Sequence, residues 1–239
     1  MPDSGRFFIV NAGAGARDNI TLRGLRLLQG ADLVIASPAQ RDRFAADLAG
    51  KEVIDGGHGL FTWMARRNRS EDEARAIEDA MRARINAAHA AGRCIVLLES
   101  GDMALFSPYR GYLDAFALLD PVLVPGVSSF NAANALLGVP LLDELDQRLR
   151  LSGLEALMQA DPACLPERWV LFCMGLDLPL HLDRIAALYP PETEIALVVR
   201  AGWPDSEVIR LRVAELDRIR TRSFAFYEVM IYIGLPDRG

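Results

Sequence analysis

Apolar and polar positions alternate in blocks along the whole chain. Phe7 to Val10 is a short apolar run, Thr21 to Gln29 carries helical spacing, and Leu33 to Ile35 and Val53-Ile54 are two further short runs. Runs this short predict strands, whereas apolar residues three and four apart predict a helix. From Ser70 to about Ala91 the spacing predicts one long helix, with Ser70 and Glu73 at its start in the spacing of a capping box. Cys94 to Leu98 is continuously apolar, as a strand covered on both faces would be. A polar turn at Glu99 to Asp102, a helix near Tyr109 to Leu118 and a strand at Val122 to Val124 extend the alternation. This order predicts a parallel sheet flanked by helices.

Pro125-Gly126 closes the first half, and the small residues from Ser128 to Leu137 predict the first helix of a second one. Leu141 to Arg168 reads as a polar surface excursion holding a short helix at Gly153 to Gln159. Strands are expected at Trp169 to Met174, Glu194 to Val199, Val208 to Arg212 and Phe224 to Ile233, with a helix near Leu180 to Leu188. The short polar turns between the last strands predict antiparallel pairing. The fold class is therefore α/β with two domains, a mostly parallel one over 1–123 and a mixed one over 124–239.

Composition narrows the function. The chain has 239 residues, 51% hydrophobic and 24% charged, with a formal net charge of -6. That charge provides no general attraction for phosphate backbones, so nucleic acid is not an expected partner. The opening residues, Met1 to Gly5, run straight into the first strand without the pattern of a signal peptide, and no apolar run approaches the roughly 20 residues of a membrane span. A cytoplasmic protein without a membrane partner is expected. Cys94, Cys164 and Cys173 have no paired spacing and read as buried thiols. His58, His89 and His181 are too scattered to predict a metal site.

Asn11-Ala12-Gly13-Ala14-Gly15-Ala16-Arg17-Asp18 follows the first strand. A dinucleotide fingerprint would need glycine where Asp18 stands and an acidic residue where the second strand ends in Ala36-Ser37. The loop is therefore a tight turn or a close backbone approach to some other ligand.

Four ordered segments resemble the tetrapyrrole methylase superfamily. They are Val10 to Gly15 with Asn19 to Leu25 and Ala31-Asp32; Ser100-Gly101-Asp102-Met103-Ala104-Leu105-Phe106; Val124 to Phe130 with Gly138-Val139-Pro140; and the pair Phe172 to Leu176 and Val199 to Pro204. The resemblance implies S-adenosylmethionine as cofactor, S-adenosylhomocysteine as product, no metal, and a homodimer with the cofactor held between two domains. It assigns Ala14, Ser100, Gly101, Asp102, Leu105, Ser128 and Ser129 to the cofactor, with Met174 and Gly202 at its adenine. Chemically, Asp102 suits ribose hydroxyls, and Met174 and Leu105 an apolar slot; a core role for Met174 stays open.

Departures from the family pattern shape the expected acceptor. Ala14, Ala16 and Met103 stand where the family has proline, aspartate and proline, and Ser37 stands where uroporphyrinogen-III methyltransferases carry an aspartate. The stretch from Gly101 to Tyr112 looks more like the precorrin methylases, which implies a tetrapyrrole acceptor. Peptide backbone N-methyltransferases of the borosin type share the fold and are the alternative acceptor class; a non-catalytic binding protein is a third reading. Arg66, Arg67 and Arg69 form either an anion-binding turn or a solvated helix start. The sequence identifies no proton acceptor; Tyr109 and Tyr112 are the catalytic candidates for the stronger help that a peptide amide would need.

Overall fold

The computed structural model describes residues 6–142, 148–225 and 227–235. The expected lead-in Met1 to Gly5, residues 143–147 of the excursion and Phe226 of the last apolar run lie outside the described residues. The chain forms two compact units, Met1–Ser129 and Phe130–Gly239.

In the first unit β1 (Phe7–Asn11) leads to α1 (Leu22–Gln29), which Thr21 caps by accepting the Gly24 amide. β2 (Leu33–Ala36) is followed by two short helices that the apolar pattern did not indicate, α2 (Pro38–Arg43) and α3 (Ala45–Leu48), and then by β3 (Glu52–Ile54). α4 (Glu71–Ala90) begins in the expected capping box, with the Ser70 and Glu73 side chains each accepting the other's backbone amide. β4 (Ile95–Glu99), α5 (Gly111–Ala115) and β5 (Val122–Val124) complete the unit. The sheet order is β3-β2-β4-β1-β5, and every pairing is parallel.

Alternate side chains of these strands point to opposite faces. Phe7, Ile9, Leu33, Ile35, Ile95 and Leu97 pack with Ala74 and Ile85 of α4 and with Tyr112 and Phe116. Phe8, Val10, Val34, Ala36, Val96 and Leu98 pack on the other face with Leu28, Phe44 and Leu48. Both faces are thus dry, which is why Cys94 to Leu98 is unbroken by polar residues. Full burial of each such large apolar side chain contributes about 1.5 to 3 kcal/mol.

The second unit contains α6 (Ser129–Leu137), whose first residue ends the first unit, then β6 (Arg150–Gly153), α7 (Glu155–Met158), β7 (Trp169–Cys173), α8 (Leu178–Leu188), β8 (Glu194–Val199), β9 (Glu207–Arg212) and β10 (Val229–Ile233). Its order is β6-β7-β10-β8-β9, with β6 parallel to β7 and the other pairs antiparallel. Trp169, Leu171, Ile195, Leu197, Ile231 and Ile233 face α7 and α8, while Val170, Ala196, Val198, Met230 and Tyr232 face Ala133 and Leu137 of α6. β6 is a strand within the expected excursion: an edge position leaves Arg150, Leu151 and Gly153 exposed, so no apolar alternation announces it. Cys94 and Cys173 are buried as expected, but Cys164 is exposed, because Asp161 caps a single turn there on the surface. Among the described residues, no helix is long and apolar enough to cross a membrane.

Candidate active site

In an all-parallel sheet the loops that follow the strands gather at one edge, where α/β proteins bind their ligands. Here the pairing of Asn11 with Glu99 and of Ala36 with Leu98 brings the ends of β1, β4 and β2 level. The loop 12–16 is stitched to its neighbours by backbone bonds: Ala12 N donates to Glu99 O at 2.7 Å, Gly13 N to Gly101 O at 3.2 Å, and Ala14 N to Val127 O at 2.8 Å. Gly13 is required for this course. Its φ is +78°, and a Cβ there would stand 2.3 Å from the Asn19 carbonyl oxygen. Gly126 is required for a different reason, since a Cβ would fall 2.5 Å from Gly101 O and 2.6 Å from Asn11 O.

Two side chains that the sequence did not single out, one buried and one half-buried, hold this arrangement. Asn11 has no exposed surface; its Nδ2 donates to Val124 O at 2.9 Å and its Oδ1 accepts the Met103 amide at 3.0 Å. It therefore joins β1, β5 and the loop after β4 through one amide. Arg43, at the end of α2, donates to the carbonyls of Gly13 at 2.8 Å, Ala12 at 2.9 Å and Ala16 at 2.6 Å. Burial lowers its pKa to about 10, against the pull of Asp18, so it still carries its charge near neutrality. No spacing rule connects position 43 to a loop some thirty residues earlier.

The cofactor candidates of the first unit lie on this edge. Ser100 is exposed, and Gly101 and Asp102 are half-buried. Asp102 Oδ1 accepts the Ala104 amide at 2.9 Å, which turns the loop. A Cβ on Gly101 would meet nothing within 4 Å. Leu105 and Phe106 are 48% and 52% exposed, leaving apolar surface beside that open backbone. Ala14 and Ser128 are buried and Ser129 half-buried. In the second unit, Met174 is half-buried just after β7, and Gly202 lies in the turn after β8.

The acceptor candidates separate. Tyr112 is fully buried, donates to Gly56 O at 2.5 Å and packs on Phe61 and Phe116, so it is a core residue whose hydroxyl is committed. Burial drives its pKa far up. Tyr109 is also buried, lies edge-on to His58, and has its pKa raised by burial and by the charges of Glu99 and Asp55, with a Ser37 hydrogen bond opposing. Neither phenol ionises near neutrality, so neither accepts a proton as phenolate. Arg66 is not a free cation: it binds Glu71 Oε2 at 2.9 Å and Glu78 Oε1 at 2.7 Å, which raises its pKa further. Arg67 is exposed and covers the Trp63 ring at 4.6 Å, and Arg69 is exposed.

Glu99, at the last position of β4, is the residue the sequence reading passed over as part of a turn. It is 7% exposed; Oε1 accepts the Ser100 amide at 2.7 Å, and among the described residues Oε2 has no hydrogen-bond partner. Burial pushes its pKa up to about 7, against the Ser100 amide and the Ser107 hydroxyl. A buried carboxylate is legible in a sequence only as one polar letter at a strand end.

The family model described as Tetrapyrrole (Corrin/Porphyrin) Methylases matches residues 6–217. The chain is 27% identical over 245 residues to a protein of Priestia megaterium named cobalt-precorrin-4 C(11)-methyltransferase, covering 96% of this chain and 87% of that one. It is 29% identical over 225 residues to a Mycobacterium tuberculosis protein named precorrin-4 C(11)-methyltransferase, covering 87% and 82%. The crystal structure of uroporphyrin-III-C-methyltransferase from Thermus thermophilus superposes with a TM-score of 0.67 at 26% identity, over 98% of this chain and 93% of that one. With strand order, glycine loops and a family match across most of the chain in agreement, the protein belongs to the tetrapyrrole (corrin/porphyrin) methylases and is an S-adenosylmethionine-dependent methyltransferase.

Proposed function

We propose that the protein methylates a carbon of a precorrin-like tetrapyrrole, with the cofactor seated at the carboxyl edge of the first sheet. The observation that carries this reading is the family match over 6–217, joined to relatives named for precorrin-4 methylation along most of their length. Those names favour a tetrapyrrole over a peptide amide. Ser37 supports a precorrin rather than uroporphyrinogen-III, because it is spent on capping α2, where it accepts the Gln40 amide at 3.4 Å, and offers no carboxylate at the end of β2.

The residues present fit the cofactor in kind. Open backbone at Gly101, the Asp102 carboxylate and the exposed Leu105 and Phe106 supply polar partners for a ribose beside apolar cover for an adenine. Ala14, Ser100, Ser128 and Ser129 complete the set on the first unit, and Met174 and Gly202 belong to it in this reading. Bound there, S-adenosylmethionine supplies an electrophilic methyl group. The protein's part is to hold the acceptor in line, exclude water and manage the proton. Arg67 and Arg69, rather than the paired Arg66, are the cations left to meet acceptor carboxylates. A homodimer and a cytoplasmic location belong to the same proposal.

The test is turnover. Purified protein given S-adenosylmethionine with precorrin-4 or cobalt-precorrin-4 should release S-adenosylhomocysteine and a product heavier by one methylene equivalent. Release with neither acceptor, from protein shown to bind the cofactor, would remove the acceptor assignment and leave the family intact.

A further inference from the structure

We propose that Glu99 is the proton store of the methyl transfer, taking the proton given up by the acceptor through the Ser107 hydroxyl. The inference rests on the tetrapyrrole reading above. Its starting point is an imbalance between two buried carboxylates. Glu78 is also buried, but Arg66 and the Phe61 amide occupy its oxygens. Among the described residues, Glu99 has one backbone amide on one oxygen, no partner on the other, and no cation acting on it. An unpaired buried carboxylate is costly, so a fold that keeps one at the end of a central strand, one residue before the Ser100-Gly101-Asp102 loop, holds a group able to change its protonation.

Ser107 is placed to serve as the connection. Its Oγ accepts the Tyr109 amide at 2.9 Å, so its own hydroxyl proton is left to point elsewhere. It lies close enough to favour the charged carboxylate without closing a hydrogen bond to Oε2. The neighbours do not compete for the role. Asn11 on β1 is committed at both ends, Ser37 after β2 caps α2, and Asp55 after β3 is exposed and acts on Tyr109 and Tyr112. His58 meets the Tyr109 ring. Near neutrality both forms of Glu99 are populated, with its pKa at about 7, while Tyr109 stays protonated.

The step balances. A ring carbon of the acceptor contributes the electron pair of the new C–CH3 bond, and the S–CH3 bond breaks with its pair kept by sulfur, cancelling the sulfonium charge. The positive charge, now on the acceptor, is lost with a ring N–H proton. Ser107 Oγ takes that proton as its own passes to Glu99 Oε2, and the carboxylate becomes a neutral acid that later releases the proton to water.

The experiment uses the full chain and its Glu99→Gln, Glu99→Asp and Ser107→Ala variants, with precorrin-4 and cobalt-precorrin-4 as acceptors. Wild-type kcat should rise through pH 7 or so; Glu99→Gln should lose about a hundredfold or more of kcat together with that rising limb. Its KM for the acceptor and its S-adenosylhomocysteine affinity by calorimetry should stay within about threefold of wild type, which separates proton transfer from binding. Ser107→Ala should lower kcat and keep the limb. Without any acceptor, the gap in melting temperature between Glu99→Gln and wild type should widen from pH 5 to pH 8. A wild-type pH profile in Glu99→Gln, or a melting gap that ignores pH, overturns the proposal. Should Glu99→Gln fail to fold, Glu99→Asp takes its place: a displaced limb supports the role and an unmoved one overturns it. Wild-type protein inactive on both acceptors would bring down the acceptor reading and this inference with it, a result distinct from active wild type with an indifferent variant.

Discussion

Asn11 and Glu99 are paired across β1 and β4, and both are buried, yet their chemistry differs because of their partners. The neutral amide satisfies its donor and acceptor and needs nothing more. The carboxylate does not, and its stability should depend on pH. Its folded-state pKa is raised from 4.5 to about 7, so the stabilising preference for the neutral acid is complete below about 4.5 and is lost as the pH climbs through 7. The gap corresponds to about 3 kcal/mol at most. Urea unfolding at pH 5 and pH 8 should therefore show wild type losing up to that amount relative to Glu99→Gln; equal losses would mean that the carboxyl is solvated. Asp102 and Asp18 provide a second comparison, since only Asp102 belongs to the proposed cofactor set. Asp102→Ala should weaken S-adenosylhomocysteine binding by about ten- to a hundredfold or more, and Asp18→Ala by little, in calorimetric titration. Similar small losses from both would show that the cofactor has been put on the wrong loop.

At the scale of elements, the short helix α2 owes its place to its last residue. Arg43 carries three carbonyl bonds to the glycine loop, and no helical rule demands them. Arg43→Met keeps the apolar stem and removes the donors. It should cost about 1.5 to 3 kcal/mol of stability or of cofactor binding energy, since bonds from a charged donor are the stronger kind. The measurement is denaturant unfolding beside cofactor titration; a variant normal in both would make the clamp idle. The start of α4 separates the three arginines in the same way. Arg66 ties the turn to Glu71 and Glu78, so Arg66→Gln should destabilise the protein. The double change of Arg67 and Arg69 to Gln should leave stability within about 0.5 kcal/mol and raise KM for a carboxylate-rich acceptor, with a weaker salt dependence. An unchanged KM would make those two residues solvent-facing ornaments of the turn.

The whole molecule consists of two units, each built around a five-stranded sheet with both faces covered. A ligand that binds only the folded chain adds free energy by mass action. S-adenosylhomocysteine at a hundred times its dissociation constant should add about 2.7 kcal/mol, which for a chain of this size raises the melting temperature by about 5 to 10 °C. A melt unmoved by either S-adenosylhomocysteine or S-adenosylmethionine would argue against the cofactor itself, independently of any acceptor.

What the sequence determined by itself is what neighbours along the chain decide. The buried strands β1, β2 and β4 were legible because two covered faces forbid polar letters, and α4 because Ser70 and Glu73 need only each other. The glycine segments and their order carried the family, since a backbone that must turn left-handed, or that leaves a Cβ less than 3 Å from a neighbouring carbonyl, leaves few residue choices. What the tertiary structure alone decided is pairing through space. β6 is a strand because it meets β7, although its exposed edge carries no pattern. Arg66 is spent on Glu78 twelve positions away, Arg43 on a loop thirty away, and Tyr112 on a carbonyl fifty-six away. At Glu99 the second oxygen meets no partner among the described residues, and an unmet hydrogen bond has no spacing by which a sequence could show it.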